Sequence, residues 1–132
     1  MLGMVPLLIV PFLLYNLGLT GVLGSGADIL AEPLFSLTMM SGGVWTMNVG
    51  DALVALALVL LFVEMMKSTR TSNSSIVDHL LSTFVFVAFL VEFLLVPSAA
   101  HPVFFTLMLI TLVDVLAGFS VSIRSASRDI NM

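Results

Sequence analysis

Hydrophobic positions in this chain fall in long unbroken blocks, not in alternation. From Leu53 to Val63 every side chain is apolar, whereas a membrane barrel would show strands of about ten residues with alternating polarity. Blocks of this kind read as helices. Windows of about 20 residues, enough to cross a hydrocarbon core of about 30 Å, occur at residues 2–23, 49–68, 76–96 and 102–122. The pattern predicts an all-α integral membrane protein with four transmembrane helices in a single membrane domain, 1–132. The first helix is expected to be kinked, because Pro6 and Pro11 remove two backbone donors and Gly18 and Gly21 loosen its outer half, breakers that neighbouring helices can compensate in a membrane.

The connection at residues 25–47 is too long for a tight turn and too apolar for a solvated one, with Ile29, Leu30, Leu34, Phe35, Leu37, Met39, Met40, Val44 and Trp45. Trp45, the only tryptophan, precedes the second span at the level where aromatic rings favour the headgroup region. The expectation is a short interfacial helix on the outer surface between the first and second spans, broken at Pro33 and at Ser41-Gly42-Gly43. The alternative is a re-entrant segment or a lid over a site.

Composition agrees with the pattern. The chain is 60% hydrophobic and 9% charged, against about 45–50% and about 25% in soluble domains; its mean hydropathy is +1.22. The four cations are Lys67 and Arg70, between the second and third spans, and Arg124 and Arg128, after the fourth. Positive charge kept inside then places both termini in the cytoplasm, and so consistent a bias argues against a dual-topology dimer. No Lys or Arg precedes the first apolar stretch and Gly24-Ser25-Gly26-Ala27 is a poor cleavage site, so that stretch is expected to remain in the mature protein.

Much chemistry is excluded. With no cysteine there is no thiolate catalysis, disulfide exchange or sulfur-ligated metal within the chain. His79 and His101 should lie near opposite membrane surfaces, which disfavours bis-histidine haem ligation. Glycine-rich phosphate loops, nucleophile elbows and zinc-binding helix motifs are missing. A net charge of −4 with four scattered cations leaves no nucleic-acid footprint. The chain is therefore expected to be no enzyme, to hold no cofactor or metal, and to have as partners the lipid bilayer and other membrane subunits or itself.

The candidate functional residues are polar groups at bilayer depth, where an ionisable side chain normally faces a protein interior or wet cavity. Glu92 lies in the apolar run 83–96 and Asp114 in the run 103–121. At 1.5 Å per residue, Glu92 falls roughly 6–8 Å and Asp114 roughly 18 Å below the outer ends of their helices. Asn16 reaches about the level of Glu92, so a bond between those two is feasible and a Glu92 to Asp114 bond is not expected. Glu64, with Lys67 at i+3, suits an interfacial ion pair.

Glu64, Asp78 and His79 inside and Asp51 outside extend the series in the way a proton or cation path requires, but Asp51 and Glu64 fall on nearly opposite sides of one helix. Thr111, Asp114, Gly118 and Ser122 form one small polar stripe suited to close helix packing, and Ala88 is the small member of a face shared with Leu81, Val85 and Glu92. Three pairs read as helix caps: Asn48 with Asp51, Ser75 with Asp78, and His101 with Pro102.

Four segments carry a resemblance: Val63-Glu64-Met65-Met66-Lys67-Ser68-Thr69-Arg70-Thr71, Ser75-Ile76-Val77-Asp78-His79, Val91-Glu92-Phe93-Leu94-Leu95-Val96-Pro97 and Leu112-Val113-Asp114-Val115-Leu116-Ala117-Gly118-Phe119. Over the last three helices, about two thirds of the chain, they resemble an uncharacterised family of small four-helix bacterial inner-membrane proteins. That resemblance implies a bacterial inner membrane and no particular activity. Small multidrug exporters share the size, but their first-helix glutamate has no counterpart here, where Asn16 is the strongly polar group. The glycine-rich and Thr/Ser/Phe signatures of fluoride channels are missing too. Two functions stay open: a noncatalytic accessory or structural subunit acting through helix packing, and an oligomeric proton-coupled transporter or ion channel using the intramembrane carboxylates.

Overall fold

The computed structural model describes residues 5–19, 26–68 and 73–131, with side chains left undescribed at residues 19, 26–28, 68, 73–75 and 121–131. Among these residues the chain forms four helices, α1 (Ile9–Leu19), α2 (Val49–Ser68), α3 (Asn73–Leu95) and α4 (Pro102–Asn131), and two strands, β1 (Pro33–Thr38) and β2 (Val44–Asn48). Short 3-10 turns occupy Gly26–Ala31 and Pro97–Ala99. Three of the helices are long and apolar enough to cross a membrane, over Val49–Lys67, Ile76–Leu95 and Pro102–Ser120.

The first helix starts later than the block 2–23 led one to expect. α1 has 11 residues, about 16 Å of rise. Its start is set by the prolines: the chain turns at Pro6, whose carbonyl accepts from the Ile9 amide at 3.2 Å. Pro11 then falls in the first turn of α1, where amides have no intrahelical acceptor and a missing donor costs little. Residues 20–23 of the expected span, Gly21 among them, lie outside the described residues.

The expected interfacial helix is corrected to a β-hairpin. β1 and β2 pair antiparallel, Phe35 opposite Met47, Ser36 opposite Thr46, Leu37 opposite Trp45 and Thr38 opposite Val44. Aromatic and β-branched side chains favour a strand, and their apolar and polar members alternate with period two once the segment is read in register. Gly42, at φ +89°, supplies the left-handed residue of the turn. The Met39 amide donates to the Gly43 carbonyl at 2.7 Å to close it. Ser41-Gly42-Gly43 does break the segment, but by reversing a strand.

α4 is the central element, packed on one side against α2 and on the other against α3, which touch each other little. α1 lies over this arrangement through rings. Phe12 meets Phe89 edge-on at 4.9 Å, Tyr15 meets Phe104 at 4.9 Å, and Phe89 meets Phe104 at 5.1 Å. Tyr15, Phe89 and Phe104 are fully buried. The Tyr15 hydroxyl donates to the Ser98 carbonyl at 3.3 Å, which fastens α1 to the turn between α3 and α4. Outward, Val59, Phe62, Phe84, Leu94 and Leu116 are all more than half exposed, an apolar exterior that water would not tolerate and lipid accepts.

Candidate functional site

Only four residues, 69–72, separate α2 from α3, and the last turns of α2 meet the first turns of α3. Glu64 and Lys67 share one face of α2, and Asp78 stands across from them on α3. The Lys67 ammonium donates to Glu64 Oε1 at 2.9 Å, to Asp78 Oδ1 at 3.0 Å and to the Val5 carbonyl at 2.8 Å. Glu64 Oε1 also accepts the Leu7 amide at 2.8 Å. One cation therefore ties two helices to each other and to the chain entering α1. The ion pair that the i+3 spacing suggested therefore forms, and its carboxylates are buried: Glu64 is 1% exposed and Asp78 5%.

Asp114 reaches the same region from α4. It is buried, has the Ser82 hydroxyl as a side-chain hydrogen-bonding partner, and lies within electrostatic reach of Glu64, Asp78 and Lys67. Thr111, one turn earlier, is also buried, but its hydroxyl donates back to the Met108 carbonyl at 2.6 Å. Gly118, one turn later, is overlaid by the His79 imidazole, which leaves no room for a methyl group. That imidazole also meets Phe119 edge-on at 4.5 Å. Ser122 is the member of the stripe whose side chain lies outside the described residues.

The other candidates stand apart. Glu92, half-buried on α3, has Asn16 of α1 as a side-chain hydrogen-bonding partner and the Tyr15 hydroxyl within electrostatic reach. Asn16 Nδ2 donates in addition to the Phe12 carbonyl at 2.8 Å. The four polar candidates thus divide into Glu64 with Asp114 and Glu92 with Asn16. Ala88 lines a lateral groove of about 380 Å³ between α1 and α3, walled by Val5, Pro6, Ile9, Phe12, Leu81, Phe84 and Val85. A second cavity, about 240 Å³, lies beside Gly18, Ile29, Leu30 and Leu53. Neither is lined by a carboxylate.

Two of the three caps form. The Asn48 amide donates to Asp51 Oδ2 at 3.1 Å, and the Val103 amide to His101 Nδ1 at 3.0 Å, with Pro102 opening α4. The Ser75 and Asp78 cap is corrected: α3 already starts at Asn73, so Asp78 sits in its second turn and its carboxylate serves Lys67. Ser82 is therefore the site residue that sequence reasoning missed, together with the bond from Lys67 to Asp78. The available signal was the short 69–72 connection, which forces an antiparallel helix pair and sets Asp78 across from Lys67. Among the described residues no group of three or more His, Asp or Glu is placed to hold a metal ion.

Gly118→Ala should lower stability by about 1–3 kcal/mol, the usual cost of forcing a methyl into a filled site, read by denaturant titration in detergent micelles. Adding His79→Ala should recover most of the loss. A Gly118→Ala protein as stable as the parent would refute the close contact.

Comparison with protein-family models, with curated proteins and with solved structures finds no match for this chain. The fold itself defines a class: a mostly helical chain with three helices long and apolar enough to span a membrane, the mark of a membrane protein.

Proposed function

We propose that this chain is a small noncatalytic multi-pass membrane protein that acts through helix packing, as an accessory subunit of an inner-membrane complex or as a self-assembling oligomer. The observation that carries the reading is the use made of the intramembrane charge: Lys67 joins Glu64, Asp78 and the Val5 carbonyl. Charge spent on fastening helices serves architecture. The large groove beside Ala88 is walled by apolar side chains and open to the side, a surface suited to an apolar helix or lipid tail. A bacterial inner membrane, four crossings and cytoplasmic termini complete the proposal. Its topology rests on Lys67, Arg70, Arg124 and Arg128.

The second reading, an oligomeric proton-coupled transporter or channel, draws on Glu64 Oε2 and Glu92 Oε2, buried carboxylate oxygens without a hydrogen-bond partner among the described residues. Native mass spectrometry of the particle released from its own membrane, compared for the parent, Asp114→Asn and Glu92→Gln, separates the two. The packing role predicts a defined assembly that the substitutions weaken, and no proton, cation or amphiphile flux in liposomes. Proton-dependent flux that disappears in Asp114→Asn with the assembly intact would replace it with transport.

A further inference from the structure

The β-hairpin is not absorbed by the packing role. Its two strands form an isolated sheet among the described residues. The pairing register sets Phe35, Leu37, Trp45 and Met47 on one face and Ser36, Thr38, Val44 and Thr46 on the other. On the apolar face Phe35 and Trp45 meet edge-on at 5.2 Å; on the opposite face the Ser36 and Thr46 hydroxyls are 2.7 Å apart. Phe35, Leu37 and Trp45 are each more than 40% exposed. No ionisable side chain occurs between Pro33 and Asn48.

Its level relative to the spans is fixed. β2 ends at Asn48 and α2 begins at Val49, without a linker. The Val49 amide donates to the Glu32 carbonyl at 2.9 Å, and Gly50 packs against Val103 in the first turn of α4. The base of the hairpin thus stands where two apolar helices start, at the end opposite to Lys67.

We infer that the hairpin lies in the lipid headgroup layer with the Phe35, Leu37, Trp45 and Met47 face turned to the acyl chains. Two opposed costs select that layer. The outer edges of a two-stranded sheet carry unpaired backbone amides and carbonyls, each of which costs several kcal/mol in hydrocarbon. A face of four large apolar side chains is disfavoured in bulk water, where an isolated hairpin is marginal at best. The headgroup layer wets the edges and still buries the face. The indole, apolar in body and a donor at one atom, suits that boundary. The inference rests on the membrane reading but not on whether the protein packs or transports.

Trp45 is the only tryptophan, so the parent chain carries its own probe. It is reconstituted into phosphatidylcholine vesicles, and co-flotation with them establishes the membrane reading before fluorescence is recorded. Blue-shifted emission, quenched more by lipids brominated near the top of the acyl chain than near its end and little by acrylamide, is expected. Placing the probe on the other face, Trp45→Phe with Thr46→Trp, should raise acrylamide quenching at least twofold. Three outcomes overturn the inference: red-shifted emission open to acrylamide, which leaves the hairpin in water; strongest quenching by deep bromines, which makes it re-entrant; and blue-shifted emission quenched by neither agent, which means that protein covers it.

Discussion

Lys67→Met should cost about 3–5 kcal/mol of folding stability, the range for removing one partner from a buried ion pair. The cause is what remains: Glu64 and Asp78, 1% and 5% exposed, would keep their carboxylates and lose the ammonium between them. The Val5 carbonyl would lose its donor as well. Methionine fills nearly the volume of the lysine stem, so packing changes little and the effect reports charge. If so, Lys67→Met combined with Glu64→Gln and Asp78→Asn should recover most of the loss. Neutral amides tolerate burial when hydrogen-bonded, and the glutamine that replaces Glu64 keeps an oxygen for the Leu7 amide. Unfolding in mixed micelles against increasing denaturing detergent measures both. A Lys67→Met protein within about 0.5 kcal/mol of the parent, the range of ordinary surface substitutions, would mean that the ion cluster is solvated and holds nothing.

Phe104→Ala is expected to have the next largest effect. The Phe104 ring is fully buried and touches rings from α1 and α3: Tyr15 at 4.9 Å, Phe89 at 5.1 Å and Phe93 at 6.3 Å. In a soluble protein such a truncation costs about 3–5 kcal/mol, a transfer term plus a cavity term. In lipid the transfer term is small, because acyl chains are as apolar as the core. The cavity and the lost ring contacts remain, and a loss of about 2 kcal/mol or more is expected, roughly the cavity share of that range. The Tyr15 to Phe104 contact is the main aromatic link between α1 and α4, so amide exchange in α1 should quicken more than in α2. Unchanged exchange in α1 would show that its place does not depend on the ring cluster.

The long apolar blocks were legible because lipid requires a continuous apolar surface and a helix to satisfy the backbone: α2, α3 and α4 follow them closely at their starts or ends. Asp51 and His101 were legible as caps because a cap is a local matter of spacing. The hairpin was not read correctly. Leu34, Phe35, Leu37, Met39 and Met40 look like one apolar patch until the pairing partner is known, and only the register sorts Phe35 and Leu37 from Ser36 and Thr38. The start of α1 was placed too early because the residues before it are as apolar as the helix, and composition does not show that Pro6 makes a turn. In the site, Glu64, Asp114, Glu92 and Asn16 were picked out as costly groups at depth. Lys67 was paired with Glu64, and Asp78 was read as a cap and as one of a series of titratable groups, but the bond between them spans two helices and sequence spacing alone does not reveal it.

The bonds that Lys67 and Glu64 make to Val5 and Leu7 also bear on biosynthesis. They join positions 62 and 57 residues apart, and Asp78 lies a further 11 residues beyond Lys67. As the chain leaves the ribosome α1 is made before α2, α3 and α4, yet the anchor at its start is complete only after the start of α3 has followed. Its ring partners Phe89 and Phe104 arrive later still. Of the four described helices the earliest made is thus the last to be secured, and until then the insertion machinery or the surrounding lipid has to shelter it.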